Sequence, residues 1–458
     1  MRKLLAIVIG KMLIILSRSL GNQGTDFPGR VAGKIYPGIL KDLALNIREE
    51  IFIVTGTNGK TTTSNMIAAI LKEKGYTLVH NTAGANMLGG ITTAFIQASD
   101  LFGRKKFDYA LLEVDEAYVP MLIKAARPGA VIITNFFRDQ LDRYGELDYT
   151  INLIKDGVRN TGIELVLNGD DPLISHFQRD TGLHCWYYGF ADTIYDSLES
   201  RESREGRYCV FCGNEIEYRR YHYAQLGKFR CRQCGNQNPD LNFTGHSLQM
   251  DPFIGMKVND LEVRSPYQGF YNAYNILAAV STGRLVGIED SIIQRAISGY
   301  QPRAGRMENF IINAKRTVLI LVKNPTGLNQ TLATLLYDQA SKNLFMALND
   351  NAADGRDISW IWDADVEMLA EPQARIVHVV SSGLRSGDMA VRVKYSGLEA
   401  SLINIRSSLE EGIRLAVDGP GEVSYILSTY TALFECQKIL TRMQEESLGA
   451  AKVRQMQA

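Results

Sequence analysis

Nowhere does the 458-residue chain run uninterrupted through the roughly 20 apolar positions that a membrane-crossing helix requires. The opening segment, MRKLLAIVIGKMLIILSRSL, comes nearest, but Lys11 breaks its apolar run. No small-residue cleavage motif follows Leu16, so a secretory leader is not expected either. An excess of one charge sign is also missing. Fifty basic residues balance fifty acidic ones, which argues against a general nucleic-acid binder. There is no low-complexity tract and no internal repeat. Cysteine is scarce, six in all, and four of the six form two C-x-x-C pairs. That pattern reads as a metal site in a reducing compartment rather than a disulfide framework, so the expected location is the cytoplasm.

What is present is a globular chain, 45% hydrophobic and 22% charged, long enough for about two or three domains. Arg2, Lys3, Lys11 and Arg18, with the Leu and Ile between them, suit a basic and very apolar helix. Two readings stand for it: a helix packed on the body of the protein, or peripheral contact with the inner face of a membrane. From residue 51, short apolar runs alternate with helical stretches. Ile51–Thr55, Tyr109–Val114, Ala130–Thr134 and Glu164–Leu167 read as strands, and 61–74 as a helix. Such alternation predicts an α/β fold with a parallel sheet whose ligands gather at the carboxyl ends of the strands. A polar, tyrosine-rich stretch at about 200–246 reads as an insertion. The Gly/Pro cluster GYQPRAGRME (299–308) reads as a boundary. Beyond it, strands are expected at 317–322, 344–348, 375–380 and 425–428, in a second and smaller α/β domain ending near residue 445. The expected division is an N-terminal helical segment (1–50), a central domain (51–305) and a C-terminal domain (306–458).

Residues 55–63 read TGTNGKTTT, a phosphate-loop pattern with only two residues between its glycines. Phosphates need converging backbone N–H groups at a helix N-terminus and a cation. Thr57, Asn58, Gly59, Lys60, Thr61 and Thr62 offer both, with Lys60 able to reach the outer phosphates. Thr61 can hold Mg²⁺ through its hydroxyl, as the residue after the lysine of such a loop does. Mg²⁺ asks for further hard oxygen ligands, and Glu113, Asp115 and Glu116 close the next strand; Glu113 is the first choice. Cys209-x₂-Cys212 and Cys231-x₂-Cys234 match a four-thiolate Zn²⁺ ribbon, closed and therefore structural. His222, inside the ribbon, reads as an ordinary surface or packing residue rather than a ligand. Cys185 and Cys436 read as buried, inert thiols, and no Cys–His pair for glutamine hydrolysis is evident.

GTNGKTTT, LLEVDE, TNFFRDQLDRYGE, NGDDP (168–172), FYNAYNILAA (270–279) and GRME (305–308) together resemble the Mur ligase family. The resemblance implies a Mur ligase-like central P-loop domain with a zinc-ribbon insertion, followed by a smaller Rossmann-like α/β domain. It implies ATP-dependent activation of a carboxylate as an acyl phosphate, then capture by an amine. On it, Thr61 and Glu113 bind Mg²⁺, and Asn275, or alternatively Asn272, contacts adenine, with Arg306 also at the nucleotide. The stretch from Asn135 to Asp142 departs from the family by carrying Gln140 where a histidine is usual, so a second Mg²⁺ site of the usual type does not follow. Only about 50 residues precede the loop, fewer than the family's UDP-sugar-binding domain needs, so a substrate presented in another form is expected.

The ribbon, KNPTGLNQTL (323–332) and ALNDNAADGRDISWIWDAD (347–365) narrow the resemblance to the family's lipid II-amidating synthetase subunits. It then implies amidation of the α-carboxylate of D-Glu in the lipid II stem peptide, giving D-isoglutamine. Ammonia would come from a separate GatD-type glutamine amidotransferase subunit in a heterodimer. Asp357 would orient that partner's catalytic His, with Asp354 and Asp350 as alternatives. Two rivals stay open: a stand-alone amino-acid ligase such as folylpolyglutamate synthesis uses, and a zinc-ribbon interaction module with a regulatory nucleotide loop.

Overall fold

Three helices open the chain: α1 (Arg2–Ser19), α2 (Phe27–Ile35) and α3 (Ile39–Ala44). Pro28 sits in the first turn of α2, where a missing N–H costs nothing. The computed structural model describes every residue except 21–23, 82–84, 138–146, 200–204, 251–252, 302–304 and 458, and only the backbone of 450–457.

Strand and helix then alternate as β1 (Ile47–Thr55), α4 (Lys60–Glu73), β2 (Leu78–His80), α5 (Leu88–Ala98), β3 (Phe107–Glu113), α6 (Val119–Ala126) and β4 (Ala130–Ile133). They continue through α7 (Leu147–Val158), β5 (Glu164–Asn168), α8 (Phe177–Thr181) and β6 (Cys185–Phe190). A separate antiparallel hairpin, β7 (Glu217–Tyr223) and β8 (Leu226–Arg230), carries the cysteine ribbon. Next come β9 (Phe243–Gln249), β10 (Ile254–Val258), β11 (Leu261–Ser265), α9 (Phe270–Leu285) and α10 (Asp290–Gly299). The nine-stranded sheet has the order β11-β10-β9-β6-β5-β4-β1-β3-β2. It is parallel from β9 to β2, with β10 and β11 added antiparallel. Residues 51–55 of β1 are all buried, because helices cover both faces of the sheet at its centre.

The second sheet holds β12 (Arg306–Ile312), β13 (Lys315–Leu321), β14 (Lys342–Ala347), β15 (Ile376–Ser382), β16 (Ile403–Ile405) and β17 (Val423–Ser428). Its order is β12-β13-β17-β14-β15-β16, with β12 alone antiparallel. Between and after these strands run α11 (Pro325–Tyr337), α12 (Trp360–Asp363), α13 (Ser386–Lys394), α14 (Leu409–Val417) and α15 (Tyr430–Gln457). The last helix, α15, runs past residue 445 to Gln457.

Two apolar cores sandwich the first sheet. Ile7, Ile14, Ile53 and Phe95 belong to the one beneath the N-terminal helices. Met66, Ile70, Ile276 and Leu277 belong to the other, which continues into the second sheet through Val318, Ile320 and Leu344. Each such side chain contributes about 1.5–3 kcal/mol on burial. The shared core fixes the second sheet against the first and leaves a crevice at the carboxyl end of β1. Among the described residues, no helix is long and apolar enough to cross a membrane.

Candidate active site

Gly56 and Gly59 turn the chain from β1 into α4, and no other residue fits either position. Gly56 has φ +119 and Gly59 φ +86, backbone that side-chain-bearing residues rarely adopt. A Cβ on Gly56 would lie 2.4 Å from Thr134 Oγ1, and one on Gly59 2.1 Å from Asn275 Oδ1. The loop is laced to the end of β4. Thr57 N–H donates to Asn135 O (2.9 Å), Asn58 N–H to Asn135 Oδ1 (3.0 Å), and Thr134 Oγ1 to Asn58 O (2.7 Å). The Thr57 hydroxyl donates to Phe137 O at 3.1 Å, so this side chain braces the loop. Arg138, Asp139, Gln140, Leu141 and Asp142 lie outside the described residues.

Lys60, Thr61 and Glu113 converge below the loop. Lys60 is buried and curls back, donating to Gly56 O and to Glu116 Oε1, the latter at 3.0 Å. Burial pushes the Glu116 carboxyl above the usual carboxylate range; the Lys60 ammonium opposes this and Asp115 reinforces it. Thr61 Oγ1 donates to Glu113 Oε1 at 2.9 Å, and Arg306 Nη2 reaches Thr61 Oγ1 at 3.3 Å. These hard oxygens, a hydroxyl and a carboxylate side by side, fit Mg²⁺. Asn81, which the sequence reading missed, orients Glu113: its Oδ1 accepts Glu113 N–H (2.9 Å) and its Nδ2 donates to Glu113 O (2.7 Å). Asn81 follows β2 at the ligand-bearing end of the sheet, and that position was the available signal.

The crevice beside the loop encloses about 650 Å³ including its open mouth, and both domains line it. The central domain supplies Asn58, Gly59, Thr62, Asn272 and Asn275; the second sheet's side supplies Arg306, Lys323 and Asn324. Asn275 Oδ1 accepts from Thr63 Oγ1 at 3.3 Å and its Nδ2 donates to Asn272 Oδ1 at 3.1 Å, so the two asparagines act as a pair. Asn324 caps α11, accepting Gly327 N–H at 2.8 Å, and its Nδ2 donates to Asn58 Oδ1 at 3.1 Å across the domain junction. This Asn was also unassigned from sequence, although Asn before Pro325 is an N-cap signal.

The four cysteine sulfurs of Cys209, Cys212, Cys231 and Cys234 lie within 4.8 Å of one another. Cys209–Cys234 and Cys212–Cys231 are each 3.5 Å apart, close to the ~3.8 Å edge of a tetrahedron with Zn–S bonds of about 2.3 Å. Two matching knuckles shape the site: Cys209 N–H donates to Asn214 O and Cys231 N–H to Asn236 O, both at 2.7 Å. The donor set fits a structural Zn²⁺. The hairpin is anchored to NGDDP by fully buried Asp170, which accepts from Lys228 Nζ (2.7 Å), Phe190 N–H (2.7 Å) and Tyr274 OH (2.9 Å). His222 is a buried packing residue with Nδ1 2.7 Å from Asp196 Oδ1. Cys185 and Cys436 are buried, and burial pushes both thiols up to about 12. The ring of His184 packs edge-on against Trp186, 4.7 Å between centroids.

Of the five aspartates in the 347–365 loop, the three candidates for the partner-facing role are placed differently. Asp354 is buried and accepts from Thr431 N–H (2.7 Å) and Thr431 Oγ1 (2.5 Å) at the start of α15. Asp350 accepts from Arg385 Nη1 at 3.1 Å. Asp357 is exposed, its Oδ1 accepting Ser359 N–H at 2.8 Å, and it does not line the crevice beside the loop.

Comparison with known proteins agrees along nearly the whole chain. The Mur ligase middle domain family matches residues 54–232, and the MurT ligase C-terminal family matches 321–433. The Staphylococcus aureus (strain COL) lipid II isoglutaminyl synthase (glutamine-hydrolyzing) subunit MurT is 37% identical over 444 residues, 96% of this chain and 98% of that protein. The subunit of that name from Streptococcus pneumoniae is 35% identical over 436 residues, covering 94% and 95%. Among solved structures, a pseudomurein peptide ligase type C from Methanothermus fervidus has the same fold, with TM-score 0.65 and 22% identity over 87% of this chain and 79% of that one. MurF ligase from Thermotoga maritima, solved with ADP, gives TM-score 0.61 and 14% identity over 91% and 84%. With a Mur ligase fold, a laced phosphate loop and relatives at this identity over their full length, this enzyme is a ligase, and the chain belongs to the MurT family of Mur ligases.

Proposed function

We propose that the protein is the synthetase subunit of a glutamine-hydrolysing lipid II isoglutaminyl synthase. In this reading it amidates the α-carboxylate of D-Glu in the lipid II stem peptide, giving D-isoglutamine. The observation that carries the reading is the convergence of Lys60, Thr61 and Glu113 at the mouth of a crevice lined by Asn272, Asn275 and Arg306. Relatives named for this activity match end to end.

ATP enters with its phosphates against the N–H groups of residues 57–62. Thr61 and Glu113 would hold Mg²⁺, and the ion would supply charge neutralisation at the phosphates. Lys60 swings from Glu116 to the γ-phosphate and stabilises the charge that spreads over it during transfer. The substrate carboxylate attacks phosphorus, ADP leaves, and an acyl phosphate forms. Ammonia adds to its carbonyl, loses a proton and expels phosphate, leaving the amide. The ammonia comes from a GatD-type glutaminase partner. Buried Cys185 and Cys436, with thiols held protonated, are unsuited to glutamine hydrolysis. Of the three aspartates the resemblance offers, Asp350, Asp354 and Asp357, the last is the exposed one, which supports it as the residue offered to the partner's His.

The test is glutamine- and ATP-dependent amidation of lipid II by the chain with its partner, read by mass spectrometry of the stem peptide. ATP turnover without conversion of the D-Glu carboxylate would overturn the substrate assignment.

A further inference from the structure

α1 has two apolar sides, and the fold covers only one of them. Ala6, Ile7, Gly10 and Ile14 are buried beneath it, where it packs on α2 and α5. On the other side Leu5, Met12 and Leu16, which share a face at 3.6 residues per turn, are 51%, 59% and 55% exposed. Leu4, Ile15 and Leu20 widen this open stripe. A contiguous exposed stripe of this kind marks a contact surface.

Charge identifies the partner. The helix contains no acidic residue and carries Arg2, Lys3, Lys11 and Arg18. Lys11 Nζ donates to Ser99 O at 2.7 Å and Arg18 Nη2 to Gln97 Oε1 at 3.0 Å, which places both cations along the rim where α5 ends. The adjoining loop, DLFGRKK (100–106), packs on the first turns of α1. A Cβ on Gly103 would lie 2.7 Å from Ile7 Cδ1 and 2.9 Å from Lys3 Cε. This loop projects Leu101 and Phe102, 54% and 65% exposed, followed by exposed Arg104, Lys105 and Lys106. The acids here offset only part of this charge. Asp42 lies 3.8 Å from Lys3 Nζ, and Asp100 accepts the Arg104 N–H of its own loop.

We propose that α1 and the 100–106 loop dock the protein on an anionic bilayer surface, the open stripe of α1 lying in the interface and the basic side chains at the level of the lipid phosphates. A second copy of the chain fits this face poorly, since a two-fold contact would bring its own basic rims together. The inference does not rest on the identity of the enzyme's substrate.

Co-sedimentation with vesicles tests it. The full-length chain should bind an equal mixture of phosphatidylcholine and phosphatidylglycerol, bind phosphatidylcholine alone far less, and be released by salt. Lys105→Ala should weaken binding about fivefold and Arg104→Glu/Lys105→Glu more, at roughly 1 kcal/mol per basic side chain near the surface. Met12→Ser/Leu16→Ser should reduce binding with ATP hydrolysis in solution unchanged, which shows that the variant is folded. Equal binding to both vesicle types, no effect of these variants, or burial of the face in a dimer by sedimentation velocity would each overturn the proposal.

Discussion

Lys60 Nζ stands 3.0 Å from Glu116 Oε1, and both side chains are about nine-tenths buried. In the proposed mechanism this pair parts when Lys60 meets the γ-phosphate. A buried ammonium without a partner would be expensive, and Glu116 supplies Lys60 with a counter-charge.

Lys60→Ala should therefore lower ATP turnover about a hundredfold or more with the thermal unfolding midpoint little changed. Glu116→Gln should shift half-saturation to lower ATP, because phosphate no longer competes with a carboxylate for the lysine. Steady-state ATPase assays read both, and wild-type turnover by the alanine variant would remove Lys60 from the chemistry.

Gly59→Ala combines a left-handed backbone with a clash against Asn275 Oδ1 at 2.1 Å. Strain of about 1–2 kcal/mol and a displaced loop are expected. Isothermal titration should then detect no nucleotide binding, whereas Gly75→Ala, at φ +95 but with open space around its Cβ, should only lower stability.

Chelation of zinc, or Cys231→Ser at a buried position, should release stoichiometric metal and open the hairpin to proteolysis. The ribbon's own apolar cluster is small, centred on Ile216 and Phe229 beside two of the cysteines, so it cannot replace the ion. A metal-free ribbon that stayed protease-resistant would contradict this.

Asp171 is fully buried, and that burial pushes its carboxyl up to about 7. The unfolded chain loses this proton near the usual carboxylate value of about 3.9, the folded one only near neutrality. The folded state thus binds more protons in between, and Asp171 lowers stability progressively as pH rises from about 4 to about 7. Asp171→Asn should flatten that part of the stability–pH curve in denaturant titrations, at some cost, because one of its two N–H contacts, to Phe136 or Leu173, loses its acceptor.

Asp357→Asn should spare ATP binding and abolish glutamine-driven amidation, with added ammonium restoring product. Asp354→Ala should instead destabilise the start of α15 by about 1 kcal/mol, since Thr431 N–H loses its acceptor. Restoration by ammonium in the second variant alone would move the partner-facing role to Asp354.

The central strands were legible because both faces are buried and each reads as a continuous apolar run; 51–55, 109–114 and 130–134 fall on β1, β3 and β4. The strands that escaped are short or alternate in burial: β2 has three residues, while β10 and β11 expose every second side chain or nearly so. The phosphate loop and the four cysteines could be read because their chemistry fixes local spacing. Asn81 and Asn324 carried only positional signals, because the contacts that give them their roles form across the fold, at Glu113 N–H and Asn58 Oδ1.

The ribbon hairpin does not hang free of the crevice. Tyr223, at the end of β7, lines it, and Gln225 Nε2 donates to Phe136 O at 2.6 Å, one residue from Phe137 on the crevice wall. A metal ion held by the four cysteines would thereby bear on the shape of the crevice without ever meeting its contents, so scarcity of that ion in the growth medium should be felt in catalysis as well as in the ribbon itself.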